Sequence, residues 1–135
     1  MTSYLLDTNI LSYFIRGRHP LLQERMQSGL NAKQAMTSVI VRAEMRFGQQ
    51  RMQLGDKRRP AIDLLLDQLP TLPWTAATAD VYGLLKKQLQ SAGTPIGELD
   101  TQIAAHALAE GLILVTHNTR HFDRIAGLKL EDWMV

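Results

Sequence analysis

The sequence predicts an α/β domain of three layers (α/β/α), with a central, mainly parallel sheet of four to five strands and helices on both of its faces. Three observations carry that expectation. Short apolar runs alternate along the chain with longer segments whose apolar residues recur at helical spacing. Leu112 to Thr116 is apolar until its last residue, as suits a strand buried on both faces. The 135 residues contain no linker, repeat or low-complexity tract, so 1–135 reads as one domain, large enough to bury a core.

Taken in order, residues 3–6 form the first strand, and helices follow over 8–16 and 20–29. Pro20 suits the first turn of the second helix. Ala35 to Ser38 is a short strand and Val39 to Met52 a helix, after which Gly55-Asp56 breaks the chain. Pro60 to Leu69 is helical until Pro70, and Leu72 to Trp74 is the third strand. Thr75 or Thr78 caps a long helix to Ala92, which Gly93 ends and Pro95 follows. Gly97 to Glu110 is the next helix, with Gly111 just past its end. The strand Leu112 to Thr116 comes next, and Lys129 to Glu131 adds an edge strand. Sites in such sheets form at the carboxyl ends of strands. Asp7 and Thr116-His117-Asn118 both follow strands directly.

Composition excludes several classes. Cysteine is absent, which removes disulfide frameworks, thiolate metal sites and Cys nucleophiles, and fits a reducing compartment. No basic N-terminal region precedes an apolar stretch and cleavage site, and no apolar run approaches the roughly 20 residues a membrane helix needs. A soluble, cytoplasmic protein is expected. Net charge is only +2, yet residues 15–60 hold ten Lys/Arg against three acids, a local net of +7 that leaves −5 for the remainder. A basic half beside clustered acids suits a metal-dependent nuclease, which draws phosphates in electrostatically; an accidentally biased, solvated surface is the plainer reading.

Three acids stand where apolar residues would be expected. Asp7 ends the apolar run Tyr4-Leu5-Leu6. Glu44 has Ile40, Val41, Phe47 and Gly48 at helical spacing, and Asp100 has Ile103, Ala104 and Ala107. Ionised carboxylates in a core are too costly to keep unpaired, so they meet a cation or line a cleft. Three from distant parts of the chain point to a shared divalent metal, and hard oxygen ligands select Mg²⁺ or Mn²⁺. Each acid also has a plainer reading: Asp7 as a helix cap, Glu44 paired with Arg42, Arg46 or Arg51, and Asp100 favouring a helix dipole. The spacing test is imperfect, since Asp80 with Ala76, Ala77, Gly83 and Leu84 also passes it and is assigned no role.

The segments around these acids occur in a definite order: Tyr4-Leu-Leu-Asp-Thr-Asn-Ile-Leu11, Ser38-Val-Ile-Val-Arg-Ala-Glu44, Pro95-Ile-Gly-Glu-Leu-Asp-Thr-Gln-Ile-Ala-Ala-His106 and Leu114-Val-Thr-His-Asn-Thr-Arg-His-Phe122. Together, and with the ending Gly127-Leu-Lys-Leu-Glu-Asp-Trp133, they resemble the PIN-domain ribonucleases, specifically the VapC toxins of bacterial toxin–antitoxin pairs. The resemblance runs over essentially the whole chain. It implies a PIN-like fold and Asp7, Glu44 and Asp100 as catalytic, metal-binding acids, with Mg²⁺ as cofactor and Mn²⁺ able to replace it. Many members carry a fourth acid two residues past the Thr of the last motif, where this chain has Asn118, an oxygen donor without charge. Asn118 and Glu98 are therefore candidates only for weak metal contacts, and Glu98 also reads as a solvated helix-start residue. Thr8 and Thr116 are candidates to orient a ligand or water behind the acids.

The activity implied is metal-dependent hydrolysis of a structured RNA, by in-line attack of a water on phosphorus to leave a 5′-phosphate, without the 2′-OH as nucleophile. Transfer RNA anticodon loops, initiator tRNA first, and ribosomal RNA loops are the implied substrates, with inhibition of translation as the result. Arg16, Arg18, Arg42 and Arg46 are candidate RNA contacts. The implied partners are a VapB-type antitoxin whose C-terminal segment lies across helices near the active site, a second copy in a homodimer, and promoter DNA reached only through the antitoxin in a hetero-oligomer. The competing expectation is a PIN-fold interaction module with little nuclease activity, its groove formed around Leu21-Leu22, Met26, Met36, Met45, Phe47 and Met52. Other chemistries fit poorly. His117 and His121 are four apart but not on a zinc-binding type of helix. No nucleophile-elbow or phosphate-loop motif occurs. Asn9 stands where a phosphatase of D-x-D type needs its second acid.

Overall fold

The computed structural model of the chain describes residues 2–135. Its elements are β1 (Tyr4–Leu6), α1 (Thr8–Arg16), α2 (Pro20–Asn31), β2 (Ala35–Ser38), α3 (Val39–Gln50), α4 (Arg58–Gln68), β3 (Thr71–Leu72), α5 (Ala76–Ser91), α6 (Glu98–Glu110), β4 (Ile113–Val115), α7 (Thr119–Phe122) and β5 (Leu130–Glu131). The five strands form one sheet in the order β3-β2-β1-β4-β5, and every pairing is parallel. The expected three-layer α/β/α domain is thus present, with the sheet parallel throughout.

β1 is the centre of the sheet. Leu5 and Leu6 are buried, with Leu5 in register with both Met36 of β2 and Leu114 of β4. From β1 the chain builds outward to one side through β2 and β3, then returns to the other side for β4 and β5. The direction of building reverses between β1 and β4, and a crevice opens outside the strand ends at such a point. On the faces, α5 packs on α6, while α1, α3 and α4 pack on one another. No helix among the described residues is long and apolar enough to cross a membrane.

The element ends have local causes. Thr75 accepts the Thr78 amide and so is the cap of α5. Ser38 caps α3 by accepting the Ile40 amide at 3.0 Å, and its hydroxyl lies 2.8 Å from Nδ1 of the buried His106 on α6. That pair fixes the start of α3 against α6. Several element ends shift by one or two residues from expectation, and three departures stand out. α4 begins at Arg58 rather than Pro60, because Asp56 accepts the Arg58 amide at 2.9 Å, and Pro60 falls in the first turn, where no amide donor is needed. β3 is Thr71–Leu72, stopping short of Trp74, whose ring instead meets Tyr82 and His106 edge-on. The short helix α7 is not foreseen in the sequence; it buries Phe122.

The far edge of the core is closed by Trp133. Its indole meets Tyr4 edge-on at 5.1 Å between centroids, donates to Glu131 Oε1 at 3.0 Å, and lies over Gly29 of α2. A Cβ at Gly29 would stand 3.1 Å from the indole, close enough that the ring would have to give by a few tenths of an ångström.

Candidate active site

The three acids singled out in the sequence come from three elements and meet at the carboxyl ends of the strands. Asp7 directly follows β1, Glu44 is in the middle of α3, and Asp100 is in the first turn of α6. They line one cleft of about 470 Å³ together with Thr8, Asn9, Ile96, Glu98 and Leu99, and no Lys or Arg is among its lining residues.

Asp7 is the most enclosed of the three, 5% exposed. Its Oδ1 accepts the Ile10 amide at 2.9 Å, so it does cap α1 while lining the cleft. Burial pushes its carboxyl up to about 6; the Thr116 hydroxyl and the Ile10 amide draw it partly back, and the charges of Asp100 and Glu44 push it up again. Glu44 accepts the Thr8 hydroxyl at 2.7 Å. None of the three arginines expected as alternatives is bonded to it. Arg42 donates to Thr71 Oγ1 at 3.1 Å and to the Leu66 carbonyl, Arg46 pairs with Asp63 at 2.5 Å, and Arg51 lies over the Phe47 ring. Asp100 does sit at a helix start, but its carboxylate faces the cleft and pairs with His121 Nε2 at 2.9 Å. Burial raises the Asp100 carboxyl, and the neighbouring imidazole draws it down. The same Nε2 lies 2.8 Å from the Ile96 carbonyl, which can only accept, so Nε2 carries a proton.

His121 is the site residue that the sequence does not single out. Its spacing from His117 suggests at most a zinc ligand, and its contact with Asp100 crosses from α7 to α6, which no local pattern reveals. The remaining candidates fall out as follows. Thr8 and Thr116 stand directly behind Glu44 and Asp7. Glu98 lines the cleft but is held by α5: it accepts from Tyr82 Oη and pairs with Lys86 Nζ at 2.9 Å. Asn118 is exposed and outside the cleft lining, with its amide donating to Thr116 Oγ1 at 3.1 Å. Arg42 and Arg46 tie α3 to β3 and α4, whereas Arg16 and Arg18 are exposed and without a carboxylate partner among the described residues.

As donors, three carboxylates with hydroxyl and amide oxygens beside them fit Mg²⁺ or Mn²⁺ and not a soft metal. The electrostatics fit as well, since each acid raises the cost of ionising Asp7 and no protein cation enters the cleft to relieve it. As the side chains stand, no three His, Asp or Glu among the described residues close around one point, so the acids share the cleft without yet forming a coordination shell.

Past Thr8, Glu44 and Leu99 the cleft continues into a second groove of about 420 Å³, lined by Met45, Phe47, Arg51, Met52 and Ile62 among others. Phe47 is 66% exposed there. Of the residues expected to form a partner groove, Phe47, Met45 and Met52 do line it, but Leu22 and Met26 are buried in the core. They face inward because α2 packs on β2.

The profile of the PIN domain family matches residues 4–128. The chain is 34% identical over 133 residues to a tRNA(fMet)-specific endonuclease VapC of Shigella flexneri, covering 98% of this chain and 99% of that protein. It is 37% identical over 134 residues to Ribonuclease VapC2 of Haemophilus influenzae, covering 99% of this chain and all of that protein. Among solved structures it is similar to VapBC2 from Rickettsia felis bound to a DNA fragment from its promoter, with a TM-score of 0.88, 32% identity, and coverage of 98% of this chain and 99% of that one. DNA-bound VapBC from Salmonella typhimurium superposes with a TM-score of 0.90 at 29% identity, with the same coverage of both chains.

Proposed function

The chain belongs to the PIN domain family and within it to the VapC ribonucleases, and from that premise we propose that it is the toxin of a toxin–antitoxin pair, a metal-dependent endoribonuclease. The observation that carries the reading is the convergence of Asp7, Glu44 and Asp100 in one cleft that holds no Lys or Arg.

Asp7, Glu44 and Asp100 would hold the ion. Bound there, Mg²⁺ or Mn²⁺ supplies Lewis-acid stabilisation of the charge on the phosphate and a nucleophile usable at neutral pH. The chain's own residues do the positioning. The Ile10 amide and the Thr116 hydroxyl fix Asp7, the Thr8 hydroxyl fixes Glu44, and His121 fixes Asp100, so each acid is oriented by at least one donor. Asp7 must be ionised to contribute, and a bound cation would offset the burial that chiefly holds its carboxyl near 6, together with the smaller repulsion from Asp100 and Glu44. Asn118 adds no charge and Glu98 is engaged by α5, so neither contributes more than a weak contact, and the reading favours a single tightly held ion.

The substrate we assign is a structured RNA, with the anticodon loop of initiator tRNA first and ribosomal RNA loops second, and the consequence is arrested translation in the cytoplasm. A relative with 34% identity is a tRNA(fMet)-specific endonuclease, which supports that order. Neighbours of known structure are a VapBC2 bound to a promoter fragment and a DNA-bound VapBC, which supports a VapB-type antitoxin as partner; with it we assign a homodimer within the hetero-oligomer and DNA contact through the antitoxin. The apolar groove beside the cleft, with Phe47 exposed, suits the antitoxin segment. Were the chain an interaction module without activity, that groove would be its working surface.

The test is cleavage of purified tRNA by the purified chain with Mg²⁺ or Mn²⁺ and with EDTA, followed by mapping of the new 5′ ends. Cleavage at one loop, a 5′-phosphate, and loss of activity in EDTA and in Asp7→Ala are expected. Full activity in chelator, or near wild-type cleavage by Asp7→Ala, overturns the assignment.

A further inference from the structure

We propose that Tyr13, Arg16 and His117 form a second RNA subsite beside the cleft, which stacks one unpaired base of the substrate and holds its phosphate. It rests on the ribonuclease reading above.

One segment that lines the cleft and one that stands behind it run on into this patch. Asp7 opens α1, and Tyr13 and Arg16 lie further along that helix. Thr116, whose hydroxyl bears on Asp7, is followed by His117. A third strand end contributes Asp132, just after β5. His117 and Asp132 thus stand at the same edge of the sheet as the acids, and the Tyr13 ring reaches them from α1.

The patch is built. His117 Nδ1 lies 2.9 Å from Asp132 Oδ2, with the two side chains 44% and 13% exposed. Asp132 is itself immobilised, its Oδ1 accepting the Met134 amide at 2.9 Å and its carbonyl accepting Arg25 Nη1 at 3.0 Å. So the imidazole is held at one nitrogen while much of it stays in solvent, and Nε2 has no protein partner among the described residues. The Tyr13 ring meets the His117 ring edge-on at 5.7 Å and the His19 ring edge-on at 5.6 Å, and the Arg16 guanidinium lies 5.5 Å from the Tyr13 centroid. Arg16 and His117 are exposed, while Tyr13 is half-buried with one side packed against the core.

The chemistry selects the ligand. A cleft of three carboxylates repels a polyanion, so the strand needs anchorage outside it, and exposed Arg16 offers a charge for phosphate. Aromatic and imidazole rings beside a guanidinium accept an unstacked base of any identity, and unpaired loop nucleotides are the ones free to splay out. A peptide would gain little here, because the patch lacks the aliphatic lining of the groove beside Phe47.

The experiment is fluorescence anisotropy of the full chain with a labelled single-stranded octaribonucleotide in EDTA, so that no cleavage intervenes, with circular dichroism confirming the fold of each variant. His117→Ala is expected to weaken binding at least about fivefold, the loss of one stacked base. His117→Phe, which keeps a ring, is expected to bind within about twofold of wild type. Arg16→Ala should weaken binding and lower the slope of log K against log salt by about one, whereas His117→Ala leaves the slope unchanged. Wild-type affinity in His117→Ala, or equal weakness in the Ala and Phe variants, overturns the subsite while leaving the ribonuclease reading in place. Absence of RNA binding by the wild-type chain in EDTA overturns the subsite, while the ribonuclease reading stands or falls on the cleavage assay with metal.

Discussion

Replacing Asp7 by Asn should stabilise the metal-free protein, by an amount that grows with pH. The carboxyl is pushed from 3.8 up to about 6, chiefly by burial. A raised carboxyl pKa means the folded state binds its proton more tightly than the unfolded chain. Ionisation therefore costs stability, first as pH passes 3.8 and fully once it exceeds about 6. Each tenfold difference in proton affinity between the two states is worth about 1.4 kcal/mol, so the penalty is about 0.5 kcal/mol at pH 4, about 1.5 at pH 5 and about 3 at pH 8. Asn keeps the oxygen that accepts the Ile10 amide, and Asn caps helices as well as Asp does, so the substitution removes the charge and spares the cap. Urea unfolding of both proteins in EDTA at pH 4, 5, 6, 7 and 8 is the assay. The variant should gain on wild type by about 2–3 kcal/mol between the ends of that range, corresponding to a Tm several degrees higher at pH 8. Added Mn²⁺ should reverse the order, because only the wild type gains binding energy from it. A stability difference that does not change with pH, or a variant weaker than wild type at pH 8, would refute the reasoning.

Thr8→Val removes the hydroxyl donor 2.7 Å from Glu44 and should weaken Mn²⁺ binding roughly tenfold or more, measured by titration calorimetry; unchanged affinity would deny Thr8 a positioning role. His121→Phe takes away the neighbour that draws the Asp100 carboxyl down, so the acid limb of the kcat/KM profile should move to higher pH, and an unmoved limb counts against the contact. Gly29→Ala places a Cβ 3.1 Å from the Trp133 indole, which its bond to Glu131 keeps from retreating. Overpacking costs about 1–3 kcal/mol and better helix propensity returns about 1, so a net loss of about 1 kcal/mol is expected in urea unfolding. A stabilised variant would mean that the indole yields.

Which parts can be read from the sequence follows from how local their causes are. The strands and helices are marked by apolar runs, Pro20, Thr75 and Gly111, each acting on its own few residues. Strand order is not so marked, since pairing of β1 with both β2 and β4 depends on segments far apart in the chain. The acids are legible because a carboxylate on an apolar face is locally anomalous. The same test picks out Asp80, which is simply exposed, because the small residues beside it on α5 are themselves at the surface. Glu98 shows the reverse: two residues from Asp100, it is drawn to Tyr82 and Lys86 by a helix whose packing the sequence does not reveal. The role of His121 is hidden for that reason too, as is the confinement of Arg42 and Arg46 to contacts within the protein.

The central position of β1 has a consequence for how the protein comes into being. Its neighbour β4 and the acid on α6 are made well after Asp7, since both lie far beyond it in the chain. At roughly 5–20 residues per second, synthesis leaves a nascent chain for several seconds with one side of its middle strand unpaired. The cleft cannot exist in that interval, because its third acid has not been added. A chain cut short before Asp100 would lack the complete cleft. The order of the sheet thus defers assembly of the cleft until the segments that carry α6 and β4 have been made.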